Sequence, residues 1–145
     1  MELVNRIAVV VVTHDHAKIW TTQSAKGAEP LEVDIQIPTK HLHVREAQHH
    51  GGHATSQYDA PYFEHLAEVL YPVAELLLIG HGEGKSNSAS QFLNHIQTHQ
   101  PDLARKVIGL LNENIPALTD QQLLEKARNW FSQWFGVPVH YWQAV

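Results

Sequence analysis

The chain has no cysteine, which excludes a disulfide framework and any thiolate metal site and fits a reducing compartment. Long apolar runs are also missing. The longest, Ile7–Val12, falls far short of the roughly 20 residues that span a bilayer, and no basic stretch precedes it as a secretory leader requires. We therefore expect no membrane association and a cytoplasmic location. Basic residues are scarce, with 10 Lys and Arg against 15 Asp and Glu and a formal charge of −5. That sign excludes nucleic-acid binding by broad phosphate neutralisation, so any RNA contact must be local. Histidine, in contrast, is abundant at twelve residues, and full protonation would reverse the net charge. Behaviour near pH 6 should differ from that at pH 8.

With 145 residues, 43% of them hydrophobic, the sequence predicts one domain over residues 1–145 with a true core. β-Branched residues on both sides of His14, Asp15 and His16 predict a hairpin in IAVVVVTHDHAKIWTT. Leu31, Val33, Ile35 and Ile37 alternate with Glu32, Asp34 and Gln36, the period of a half-buried strand. From Thr39 to Asp59 no periodicity is sustained, and a loop of that length in a small domain points to function. Pro61 opens a helix with Phe63, Leu66, Ala67 and Leu70 on one side, closed by Pro72. AELLLIG then reads as a central strand covered on both faces. A second helix follows, with Ser88 and Gln91 spaced as a capping box, Phe92, Leu93 and Ile96 as its stripe, and Pro101 ending it. KVIGLL is a fifth strand. A third helix carries the capping pair Thr119 and Gln122, a stripe from Leu123 to Trp134 that should pack on the sheet, and Gly136 as its stop. Three antiparallel strands followed by αβαβα predict an α/β fold with one mixed five-stranded sheet.

LLLIGHGEGKSNSASQFL raises the question of a phosphate-binding loop. Gly84, Lys85 and Ser86 supply the end of the nucleotide signature, but Ile79 stands where its first glycine belongs and Gly80 comes one residue late. The shortened loop cannot place the same amides around a phosphate chain, so no nucleotide is expected.

Three stretches carry a resemblance to a known family: VVVVTHDHAKIW, HHGGHATSQYDAPYFEHLAEVL and LLLIGHGEGKSNSASQFLNHI. They resemble, in order, the opening hairpin, the Gly-Gly-Gln loop with its helix, and the strand with a Gly-x-Gly turn of the central domain shared by eukaryotic and archaeal peptide-chain release factors and Pelota. Small bacterial relatives of these factors are more similar still. The resemblance covers residues 6–135 and implies the RNase H-like mixed sheet of the translational machinery component fold. It also implies a structural role for the turn at Gly80–Gly84 and a ribosome or tRNA partner. In release factors the glycine loop enters the peptidyl-transferase centre and its glutamine helps position water against the peptidyl-tRNA ester. Gly51 and Gly52 match the two glycines, whereas His53 replaces the glutamine. Histidine can act as general base near neutral pH but has a different shape, so the resemblance implies either peptidyl-tRNA hydrolysis or a Pelota-like role without it. Gln57 lies too far along to substitute. Arg45 and Lys85 are candidate RNA contacts, Lys85 at a helix start, with a solvated surface lysine the simpler reading. The family's codon-recognition and partner-binding domains have no counterpart here. The chain is thus expected to reach its site alone, as a homo-oligomer or with a partner protein.

A metal reading competes. His41 and His43 lie two apart, His49, His50 and His53 share one loop, and His14, Asp15 and His16 form a second cluster. Converging imidazoles would suit zinc or nickel, although none of these spacings is a specific signature and the first expectation is no cofactor. His81 reads as a cap for the following helix. Ser86, Ser88 and Ser90 form no nucleophile elbow, and Asp15 and Asp34 gain no carboxylate on the strand after Glu75, which argues against a hydrolase triad or a two-metal nuclease.

Overall fold

The computed structural model describes residues 3–21, 30–34 and 59–135. Five strands form one sheet: β1 (Ile7–Val12), β2 (His16–Thr21), β3 (Leu31–Asp34), β4 (Glu75–Gly80) and β5 (Val107–Asn112), in the spatial order β3-β2-β1-β4-β5. β1 pairs antiparallel with β2, and β2 with β3, so the first three strands are the predicted meander. β1, β4 and β5 run parallel. This is the expected mixed α/β sheet of RNase H-like order.

The two most apolar strands take the centre. Ala8 to Val12 and Leu76 to Gly80 are buried, as continuous apolar strands must be when helices cover both faces. Their two-residue period divides them between two cores. Ala8, Val10, Val12, Leu76 and Leu78 point to α1 (Ala60–Leu70) and α2 (Ser88–His99), with Leu103 of the short α3 (Pro101–Ala104) in the same cluster. Val9, Val11, Leu77 and Ile79 point the other way, to α4 (Asp120–Phe135). Along α4, Leu123, Leu124, Ala127 and Phe131 are buried. Gly109 on β5 lets Trp130 approach, since a Cβ there would stand 2.5 Å from Trp130 Cζ2. Trp134 departs from the predicted stripe. It is 54% exposed and stacks on Trp130 at 5.2 Å and 13°, leaving one indole face to solvent.

Helix starts follow local chemistry. Thr119 and Gln122 form the predicted capping box, with N–H to side-chain distances of 2.9 and 3.1 Å. Asp59 caps α1 by accepting from the Tyr62 amide at 2.9 Å. The expected Ser88–Gln91 box is corrected: Asn87 is the N-cap, accepting from the Ser90 amide at 3.1 Å, and Ser88 is the first helical residue. Pro101 ends α2 and also opens α3, where its missing N–H costs nothing.

Candidate functional site

The chain reverses its direction of sheet growth between β1 and β4: β2 and β3 are added on one side, β4 and β5 on the other. Open α/β sheets bind ligands at such a switch point, outside the carboxyl ends of the parallel strands. At this crest lie the β1–β2 turn, the turn after β4 and the stretch after β5. β3 also ends here, because Asp34 pairs with His16 at the start of β2. The chain returns to the same crest at Asp59, since the buried Tyr62 of the first turn of α1 donates its hydroxyl to the Thr13 carbonyl at 3.0 Å. Asp34 and Asp59, the described neighbours of residues 35–58, therefore stand at one edge of the sheet.

The turn after β4 is wired to itself. Gly82, at φ +100°, has its amide on Asn112 Oδ1 at 3.2 Å, and its carbonyl accepts from Asn112 Nδ2 at 2.7 Å and Asn87 Nδ2 at 3.1 Å. Ser86 Oγ accepts from the Glu83 amide at 3.1 Å and donates to the Glu83 carbonyl at 2.7 Å. The amides of Ser86 and Asn87 close on the carbonyls of Glu83 and Gly84 at 3.1 Å each. A phosphate loop needs such amides aimed at a common centre; here they complete a tight turn. His81 does not cap α2 as expected. It is exposed, with Nδ1 3.0 Å from the Glu113 carbonyl, so it ties the turn to the end of β5.

The β1–β2 turn gathers Thr13, Asp15 and His16. His16 Nδ1 lies 2.9 Å from both Asp15 Oδ1 and Thr13 Oγ1, and the Thr13 hydroxyl also reaches the His16 carbonyl at 2.9 Å. The bond from His16 holds the Asp15 carboxyl below its usual value, reinforced by the positive potential of His14. Asp15 is thereby engaged within its own turn. Among the described residues no three His, Asp or Glu side chains converge as metal ligands, so His14, Asp15 and His16 do not form the second metal cluster that their spacing suggested.

Several cations of the described surface have carboxylate partners. Lys18 pairs with Asp120 at 3.1 Å and Lys126 with Glu113 at 3.9 Å, while Arg105 and Arg128 meet Asp102 and Glu125 one turn away. Lys106 donates to the Tyr71 carbonyl at 2.7 Å.

Gly51, Gly52 and His53, with Arg45, His41, His43, His49, His50 and Gln57, lie outside the described residues. The backbone of Lys85 falls in the 3₁₀ turn Gly84–Ser86 at the crest. Three residues that build the crest escaped the sequence reading. Asn87 had a signal, an Asn directly before a helix. Asn112 and Tyr62 had none, because their partners lie 30 and 49 residues away.

No protein-family model and no curated protein matches the sequence. Several solved structures are similar, among them these two. Pelota from Archaeoglobus fulgidus aligns with a TM-score of 0.53 at 12% identity, over 87% of this chain and 31% of its own. An archaeal translation termination factor, aRF1, aligns with a TM-score of 0.39 at 15% identity, over 90% of this chain and 40% of its own. The chain spans less than half the length of either protein. The likeness to Pelota is one of fold, and it agrees with the mixed five-stranded α/β sheet described above.

Proposed function

We propose that the protein acts in translation, on or near the ribosome, with the segment Gly51–His53 as its working tip. The observation that supports this reading is that residues 35–58, which contain Gly51–His53, lie in sequence between β3 and α1, whose described ends, Asp34 and Asp59, are both on the crest side of a sheet similar in fold to Pelota. Fold alone does not assign function, so the weight rests on the Gly-Gly pair in that place. His53 offers an imidazole that can take a proton from water near neutral pH, which makes peptide release from peptidyl-tRNA the chemistry to assay. A non-hydrolytic role in ribosome rescue is the alternative within the same reading. The acidic composition implies local phosphate contacts, and ribosome association that weakens with salt is the outcome this reading expects.

Co-sedimentation of untagged protein with vacant ribosomes and with ribosomes carrying peptidyl-tRNA tests the reading. Binding should weaken in Gly52→Ala, and His53→Ala then separates binding from peptide release. Failure to bind either ribosome state at low salt would sink the translational role.

A further inference from the structure

Helix α1 buries Tyr62, Phe63, Leu66, Ala67 and Leu70 in the first core, and two contacts of its first turn fix where it starts. At its N-terminus the Tyr62 hydroxyl is fastened to the Thr13 carbonyl. On its inner side Phe63 meets two rings of α2, Phe92 at 5.5 Å and His95 at 5.7 Å. His95 is only 4% exposed, and its ring stands 4.5 Å from that of His99 one turn further along. A histidine thus sits in the α1–α2 contact. Neutral, His95 packs as an aromatic ring. Protonated, it places a charge in a nearly dry site beside a second imidazole.

Burial first, and His99 second, hold His95 below its usual value, while the Glu64 carboxylate on α1 acts in the opposite direction. Elsewhere on these helices His65 lies 4.0 Å from Glu68 on α1, and Asp102 pairs with Arg105 on α3. Glu64 and His99 both act on His95 electrostatically. The second core, under α4, lies across the sheet and contains no histidine.

We infer that His95 is an acid-sensitive release for helix α1, whose protonation loosens α1 from α2 while the sheet and α4 stay folded. The native value lies below the 6.5 of a free imidazole, so the opened state binds the proton more readily. The contact is complete above pH 6.5 and is lost progressively as pH falls from there through the native value. On the functional reading above, release of α1 frees the chain at Asp59, the described end of the segment that carries Gly51–His53; that consequence rests on the reading, whereas the opening itself does not.

Amide hydrogen exchange at pH 7.5 and pH 5.5, corrected for intrinsic rates, measures the opening helix by helix. Protection in α1 should fall several-fold more than in α4. His95→Phe keeps a ring against Phe63 and cannot charge, so protection in α1 should fall no more than in α4. His99→Gln, at an exposed position, removes the neighbouring charge and should reduce the loss in α1. The inference is overturned if α1 and α4 lose protection together, or if the loss in α1 persists in His95→Phe. Should that variant not fold, an unchanged loss in His99→Gln overturns it. A protein that opens α1 in acid yet ignores ribosomes retains this inference and loses the functional reading.

Discussion

Substituting Gly80 by alanine tests whether the turn after β4 is a structural fastening. Gly80 ends a buried central strand, and a Cβ there would stand 2.0 Å from Asn87 Oδ1 and 2.6 Å from Ala89 Cβ. Neither contact is tolerable. Asn87 must leave its place, which removes the cap on the Ser90 amide and the bond from Nδ2 to the Gly82 carbonyl. Loss of an N-cap costs about 1 kcal/mol, and forcing one methyl into a packed site adds about 1–3 kcal/mol. We therefore expect Gly80→Ala to lower stability by about 2–4 kcal/mol, read as a fall in the urea midpoint with an unchanged m-value. Asn87→Ala alone removes the cap and the Gly82 bond, for about 1–2 kcal/mol.

The pair is the sharper test. In the double variant the Asn87 side chain is already gone, so part of the Gly80→Ala penalty has no partner left to act on; only the contact with Ala89 persists. The double-mutant cycle should be sub-additive by about 1 kcal/mol, within the range seen for contacting residues. Gly84→Ala is the control. A Cβ at Gly84 meets nothing within 4 Å, so its cost is only that of a non-glycine residue at φ +55°, about 1 kcal/mol. If Gly80→Ala is no worse than Gly84→Ala, or if the cycle is additive, the account of the turn is wrong.

Three further perturbations probe other contacts. Tyr62→Phe deletes the hydroxyl that holds α1 to the β1–β2 turn and should lower stability by about 1 kcal/mol in urea unfolding; an unchanged midpoint would show that this bond does not fasten the helix. Gly109→Ala drives a methyl into Trp130 at 2.5 Å and should cost about 1–3 kcal/mol and abolish the near-ultraviolet circular dichroism of the Trp130–Trp134 stack, whereas Trp134→Ala should remove that signal at a cost of about 1 kcal/mol or less. A retained signal in Gly109→Ala would refute the packing. For Asp15 the native carboxyl lies below its model value of 3.8, so its stabilisation is present above pH 3.8 and lost as pH falls through the native value; Asp15→Asn should flatten that acid limb, and an identical acid profile would show the His16 bond to be inconsequential.

Much of the fold is legible because the relevant information is periodic and local. The hairpin around His14–His16, the alternation from Leu31, the unbroken AELLLIG strand and the Thr119–Gln122 box each depend on residues within a few positions of one another. The misreadings depend on contacts that no local pattern encodes. Asn87 and Ser88 are both good caps, and Ser88 even has Gln91 at the capping-box distance. The choice falls to Asn87 because Gly80, seven positions earlier, leaves its side chain room. His81 sits before a helix, yet its ring bonds to Glu113 because β5 ends beside β4. Trp134 shares the helical spacing of Leu123 and Phe131, but it lies in the last turn of α4, exposed, and its ring stacks on Trp130.

The same distinction bears on the candidate site. A glycine-rich turn with a lysine, between a strand and a helix, can be a phosphate cradle or a fastening, and the sequence difference is one residue of loop length. The hydrogen bonds decide between them. Asn112 at the end of β5 engages both the amide and the carbonyl of Gly82, as a neighbouring strand would, and Asn87 adds a second donor to that carbonyl. The turn therefore joins β4, β5 and α2 at the crest and spends its polar groups in doing so. The same side of the sheet also carries Asp34 at the end of β3 and the first turn of α1, which follows Asp59. Binding and catalytic residues lie disproportionately on segments that a rigid scaffold positions. This is why the glycine pair at 51 and 52, and not the glycines at 80, 82 and 84, is the place to test for activity.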